Sequence, residues 1–180
     1  MDRRAALRAL LLDYVPSDAA EGAHRAAMLD LLDAPGDPFA RDHFAPGHFT
    51  ASAFVLDPAE DDLLLVHHRR LGRWLQPGGH IDPDDAGPLQ AATREAAEET
   101  GAGPFASLGG IFDLDVHAIP GNRQEPDHRH FDVRFLLRAN DRRIDPSTEV
   151  DGARWVAREA VARFTTDRSV HRAVAKLAGR

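Results

Sequence analysis

Three glutamates, Glu95, Glu98 and Glu99, fall within one short segment, Arg94-Glu-Ala-Ala-Glu-Glu-Thr-Gly101. At about 100° per residue, Glu95 and Glu99 lie about 40° apart on a helix, with Glu98 about 60° to the other side. The three carboxylates therefore share one face. Leu89, Ala92 and Ala96 form the adjoining apolar stripe, so the acidic face borders the buried side. Like charges at this spacing destabilise a helix by a few tenths of a kcal/mol per pair. They also sit near the helix C-terminus, where the dipole disfavours anions. A divalent cation cancels that repulsion, and Mg²⁺ prefers oxygen ligands and keeps waters that substrate phosphates can replace. Arg94 can pair with Glu98 one turn on and orient the cluster. A solvated charged face is the competing reading of an isolated Glu-x-x-Glu-Glu.

A second polar constellation lies downstream. With period two, His128, His130, Asp132 and Arg134 share one strand face, and Phe131, Val133, Phe135 and Leu137 share the other. Upstream, Asp113, Asp115 and His117 alternate with Phe112, Leu114 and Val116. If the two stretches pair as a hairpin across residues 120–127, both polar rows can lie on one side. That side is either a solvated sheet face or a substrate cleft. His128-x-His130-x-Asp132 also has the spacing of a zinc site, but no third soft ligand is evident, so the cleft reading ranks first. Residues 118–127 form a long loop suited to a lid or specificity role. Arg69, Arg70 and Arg73 precede Trp74. Arginine grips phosphates bidentately and Trp stacks on bases, although surface charge beside a packed Trp explains the same residues. His67, His68 and His80 could touch a substrate.

The elements that must position these residues follow from the punctuation. Residues 3–14 and 18–33 read as helices, with Asp18 as an N-cap and Pro35-Gly36 as a stop. The Pro- and Gly-rich connector 36–47 suggests a boundary near residue 45. That gives an N-terminal helical extension, 1–44, and a second unit, 45–180. Strands are expected at 49–56, 63–68, 108–119, 130–137 and 153–156, with a tight loop at 75–80. Pro88 suits the first turn of a helix over 88–100, and Gly101 suits its left-handed end. The tail from 158 reads as helical, most clearly over 169–178. Strands with helices between and after them predict an α/β (α+β) fold, a mixed sheet packed by helices. The N-terminal helix pair reads as packing or as a homodimer contact.

Composition narrows the class. With 180 residues, 43% hydrophobic and 28% charged, the chain can close a sizeable core. Its formal charge of −7 disfavours a nucleic-acid polymer as partner. The absence of cysteine excludes disulfides, thiolate zinc sites and cysteine nucleophiles. Nothing approaches the roughly 20 apolar residues of a membrane span, and no export signal is visible, so the expected setting is the cytoplasm.

Arg94-Glu95-Ala96-Ala97-Glu98-Glu99-Thr100-Gly101-Ala102 resembles the second half of the Nudix box, Arg-Glu-U-x-Glu-Glu-x-Gly-U, where U is usually bulky and aliphatic. Residues 77–85, Pro-Gly-Gly-His-Ile-Asp-Pro-Asp-Asp, resemble its first half, with Gly79-x5-Asp85 in place of Gly-x5-Glu. The sequence departs from the pattern at Asp85, in an eight-residue rather than seven-residue spacing to Arg94, and at Ala96 and Ala102. These departures bear on Asp85 more than on the glutamates.

The resemblance covers about residues 48–160. It implies a Nudix-type α/β/α sandwich that hydrolyses a diphosphate in a nucleoside diphosphate linked to another moiety. By the same resemblance, Glu95, Glu98 and Glu99 are ligands of Mg²⁺, for which Mn²⁺ can substitute. Glu95 or Glu98 doubles as general base, the Gly79 carbonyl completes the site, and Arg94 orients the glutamates. Some members add a carboxylate before the last Trp-containing strand. Glu149 is the candidate here and Asp151 the alternative. Arg69, Arg70, His128, His130, Asp132 and Arg134 are the candidate substrate contacts. A Nudix-fold nucleotide-binding or regulatory protein without turnover is the rival reading. The isomerase of this fold needs a cysteine that this chain lacks.

Overall fold

The computed structural model describes residues 2–164 and 167–179. Positions 165 and 166 of the expected helical tail lie outside the described residues. Helix α1 spans Arg3–Asp13 and α2 spans Ala19–Asp33. The Asp18 side chain accepts from the Glu21 backbone N–H at 2.8 Å, the capping that its position predicted. Helix α3 spans Pro88–Thr100, opened by Pro88 and closed by Gly101 in the left-handed region at φ 65°. A short turn of helix, α4 (Val161–Phe164), precedes α5 (Arg168–Leu177), which Asp167 caps.

Seven strands form one mixed sheet: β1 (Gly47–Leu56), β2 (Asp62–His68), β3 (Arg73–Leu75), β4 (Gly78–His80), β5 (Phe105–Ile119), β6 (His128–Ala139) and β7 (Val150–Ala157). The order is β3-β2-β1-β6-β5, with β4 joined to β1 and β7 to β2. Only β1 and β6 run parallel, with His48 opposite His130 and Ser52 opposite Arg134. β5 and β6 form the expected antiparallel hairpin, from Ile119 opposite His128 to Phe105 opposite Ala139.

Apolar residues on the two sheet faces build two cores. On one face, Phe49, Ala51, Phe131, Val133 and Phe135 pack with Ala92 and Ala96 of α3, and with Leu7, Leu11, Met28 and Leu31 of α1 and α2. On the other, Phe54, Leu65, Leu136 and Val156 pack with Val170, Ala173 and Leu177 of α5. The fold is therefore an α/β/α sandwich, and its N-terminal helices share the first core.

Three local expectations change. The loop expected at 75–80 holds strand β4, because Gly78–His80 pairs with Thr50–Ser52 of β1, and β3 leads into it. At Gly78 a Cβ would lie 2.6 Å from the Ser52 Cα, so only glycine permits this approach. Register shifts on both sides of Ile111 turn Phe112 away from the face of Leu114, and the two residues serve opposite cores. Leu89 is 36% exposed rather than part of the buried stripe of α3, which Ala91, Ala92 and Ala96 supply.

Candidate active site and its adjoining cavity

The carboxylate cluster forms where α3 packs against β4. The Gly78 N–H donates to the Glu99 carboxylate at 3.0 Å. A Cβ on Gly79 would lie 2.6 Å from the carboxyl carbon of Glu95, so this glycine clears the space in which Glu95 rests. Burial of Glu99 raises its pKa to about 7, helped by the charges of Glu95 and Glu149 and opposed by the Gly78 N–H. Burial also raises Glu95, against the pull of Arg94. Glu98 stays exposed at the end of the row.

Arg94 gathers the acids. Its guanidinium donates to Glu95 at 2.9 Å, to Glu98 at 3.0 Å and to the His80 carbonyl at 3.0 Å. It also grips both oxygens of Asp85, at 3.2 and 2.8 Å. Asp85 is buried and accepts in addition from the Asp82 N–H. Burial works against its charge, but Arg94 and that N–H hold its carboxyl below the usual range. Asp85 thus holds Arg94 at two points while the same guanidinium reaches Glu95 and Glu98. The donor set of Glu95, Glu98, Glu99 and the Gly79 carbonyl is all oxygen, which fits a hard divalent cation such as Mg²⁺. The raised carboxyls fit it further, since an uncompensated acidic cluster is what such an ion relieves.

A cavity of about 820 Å³ opens on the α5 side of the sheet, lined among others by Gly79, His80, Ser52, His130 and Asp132. The paired polar rows form its floor, with His117 opposite His130, Asp115 opposite Asp132 and Asp113 opposite Arg134. The floor is dry. Arg134 is 2% exposed and bonds Asp132, Asp113 and Asp115 at 2.7, 3.2 and 3.3 Å. Burial opposes its charge, yet those three acids push its pKa up. Thr50 and Ser52 donate to Asp132 at 3.2 and 2.7 Å, and Arg172 of α5 adds bonds to Asp113 and Asp115. Asp132 and Arg134 are therefore tied into a buried ionic lattice rather than a solvated face.

A family model described as the NUDIX domain matches residues 46–177. The chain belongs to the NUDIX family. Human diphosphoinositol polyphosphate phosphohydrolase 3-alpha is 38% identical over 74 residues, which is 40% of this chain and only 40% of that protein's length. A crystal structure of a NUDIX-family hydrolase from Clostridium perfringens superposes with a TM-score of 0.56 at 23% identity, over 73% of this chain and 96% of that one. The C. elegans Ap4A hydrolase binary complex gives 0.59 at 18% identity, over 73% and 95%. At these identities the structural likeness concerns the fold.

In this NUDIX domain the structure brings Glu95, Glu98, Glu99, Arg94 and Gly79 together. Glu149 is exposed, and its charge is felt at Glu99. Asp151 faces elsewhere, bonded to Arg69 at 2.9 Å and 3.6 Å from His67. Arg70 lines the cavity, whereas Arg69 is outside its lining. Trp74 packs beside Phe164 and His67. His128 is buried, with its Nε2 3.4 Å from that of His130. Sequence reasoning missed His48, a buried β1 residue whose ring centroid lies 4.8 Å from that of His130. It supplies the third imidazole that the reading of His128 and His130 lacked. The alternation of His48, Thr50 and Ser52 was the available signal, and only the parallel β1–β6 pairing gives it meaning. Burial lowers the His48 pKa to about 4 and the His130 pKa to about 2, with neighbouring imidazoles adding to both shifts.

Proposed function

We propose that this protein hydrolyses a diphosphate bond in a small molecule, a nucleoside diphosphate linked to another moiety, with Mg²⁺ as the natural ion and Mn²⁺ as a substitute. The observation that carries this reading is the convergence of Glu95, Glu98 and Glu99 beside Gly78 and Gly79, with Glu95 and Glu98 bound to one guanidinium, Glu99 bound to the Gly78 N–H, and both glycines lining the cavity. Glu95, Glu98, Glu99 and the Gly79 carbonyl would hold the ion, with Glu149 as a further carboxylate. When bound, Mg²⁺ neutralises charge on phosphoryl oxygens and makes water more acidic.

In the reaction a water oxygen bonds to one phosphorus, the bridging P–O bond breaks, and the other phosphate leaves as a monoester still joined to its own moiety. A carboxylate takes the water's proton. Of the two candidates, Glu95 is the one whose burial makes it more basic, so Glu95 is the proposed base. Arg94 holds Glu95 and Glu98 in place throughout. Arg70 and His130 line the cavity and would meet the substrate's phosphates and remaining groups. The buried lattice of Asp132 and Arg134 keeps that wall rigid. The same reading takes 1–44 as a helical extension, a cytoplasmic setting and a homodimer through the N-terminal helices. No helix among the described residues is long and apolar enough to cross a membrane.

The test is monophosphate formation from a panel of nucleoside diphosphate derivatives, read as phosphate freed by an added phosphatase, with Mg²⁺ and with Mn²⁺, beside Glu98→Gln. We expect ion-dependent turnover of at least one compound, lowered in the variant by about 10² or more with the fold retained. Turnover undiminished in Glu98→Gln rejects the site. Tight binding of one compound without turnover by the wild type favours a regulatory protein.

A further inference from the structure

Five histidines from four strands meet beside the cavity: His48 on β1, His80 on β4, His117 on β5, and His128 and His130 on β6. Ring centroids of His48 lie 5.2 Å from His128 and 4.8 Å from His130, and those of His128 and His130 are 5.2 Å apart. One ring nitrogen from each of these three lies within 4.8 Å of the other two. Their hydrogen bonds decide which nitrogens carry lone pairs. His48 Nδ1 faces the His43 carbonyl at 3.4 Å, and His128 Nδ1 faces the Pro126 carbonyl at 2.8 Å. A carbonyl only accepts, so Nδ1 bears the proton on both rings and Nε2 is left bare. Metal-binding imidazoles are commonly oriented in this way, by a backbone carbonyl on the far nitrogen.

His48 is 1% exposed, and its Nε2 is buried without a hydrogen-bond partner among the described residues. A hydrogen bond between His128 and His130 explains their 3.4 Å separation but leaves His48 unsatisfied. A single ion would partner all three, drawing in nitrogens that lie within 4.8 Å of one another. Two nitrogens at about 2.05 Å from a tetrahedral zinc stand about 3.3 Å apart, close to the spacing of His128 and His130. Phe44 packs against His48 and His128, which gives the site an apolar wall.

We propose that His48, His128 and His130 bind a zinc-class divalent ion through their Nε2 atoms. These residues are distinct from the acidic ligands of α3, and the ligand type differs accordingly: imidazole suits zinc-class ions, carboxylate suits Mg²⁺. His130 borders the cavity, so a tetrahedral ion's fourth position can take a water or a ligand oxygen from it. The proposal stands whether or not the α3 carboxylates catalyse hydrolysis.

The test uses the full chain, stripped of metal by chelation and held in excess Mg²⁺ so that oxygen sites are occupied. Zn²⁺ is titrated while imidazole nitrogens are followed by long-range ¹H–¹⁵N spectra. We expect saturation at one equivalent, with Nε2 shifts at His48, His128 and His130. His48→Gln and His130→Gln should each weaken binding by more than about a hundredfold, the upper range for a merely orienting partner. A Glu98→Gln/Glu99→Gln double variant should bind Zn²⁺ as the wild type does. Unmoved Nε2 signals in the wild type would overturn the proposal without recourse to any variant. So would transfer of the loss to the glutamate variant.

Discussion

Arg94 holds the acidic cluster, and Asp85 holds Arg94. The shorter acid and the extra residue before Arg94 set Asp85 apart from the Nudix pattern, yet it still makes a two-point grip on the guanidinium. Asp85→Asn should therefore weaken the orientation of Glu95 and Glu98 while leaving the proposed ligands in place. We expect kcat/KM to fall about ten- to a hundredfold, as for other partners that orient metal ligands. Stability should fall by about 1–3 kcal/mol from the compromised buried bond, read by urea titration. An unchanged kcat/KM with lowered stability would reduce Asp85 to a structural role. The three glutamates were legible in the sequence because one helical turn brings them together. His48 was not, because its companions lie some 80 residues downstream and reach it only through strand pairing.

Helix α3 was legible from end to end, since its start and stop are local chemistry: Pro88 opens it and Gly101 closes it. Gly101 also lets the chain approach residue 145, where an added Cβ would meet the Asp145 carbonyl oxygen at 2.5 Å. Gly101→Ala thus combines left-handed strain with a backbone clash. It should cost at least about 2 kcal/mol by urea denaturation. A loss below about 0.5 kcal/mol would mean that the helix end relaxes freely. β3 and β4 were hidden for the opposite reason. Their residues carry no alternating pattern, and the extended backbone of Gly78–His80 is stabilised by bonds to β1. The bulge around Ile111 was equally invisible, because it is a property of the β5–β6 pair rather than of either strand.

Across the whole molecule, an ionic knot joins the two ends of the chain. Glu21 of α2 is fully buried, accepts from Ser17, Tyr14 and the Leu114 N–H, and pairs with Lys176 of α5. Lys176, the only lysine, also meets Asp113 at 2.6 Å. Burial alone would raise the Glu21 carboxyl, but hydrogen bonds from Lys176, Ser17 and Tyr14 bring it down to about 2. A carboxyl lowered by folding contributes stability above its unfolded pKa and loses it as pH falls through the folded value. Between about pH 4.5 and 2, this one group should remove about 3 kcal/mol. Glu21→Gln should be less stable than wild type at pH 7, and the difference should shrink across that window in acid-unfolding curves. Parallel curves for the two proteins would place the acid sensitivity elsewhere.

The sandwich class came from the Nudix resemblance, and local spacing carried three features: the three-glutamate face, the helix beneath it, and the hairpin with its matched polar rows. Each depends on residues within a turn, or within two strands joined by a short loop, where spacing dictates geometry. Only the folded chain shows that Asp85 serves Arg94, that buried Asp113 and Asp115 meet Arg172 of α5, and that His48 joins His128 and His130. Those outcomes depend on parallel pairing and on the closure of helices over a sheet. Such contacts join residues distant in the chain, and no local period encodes them.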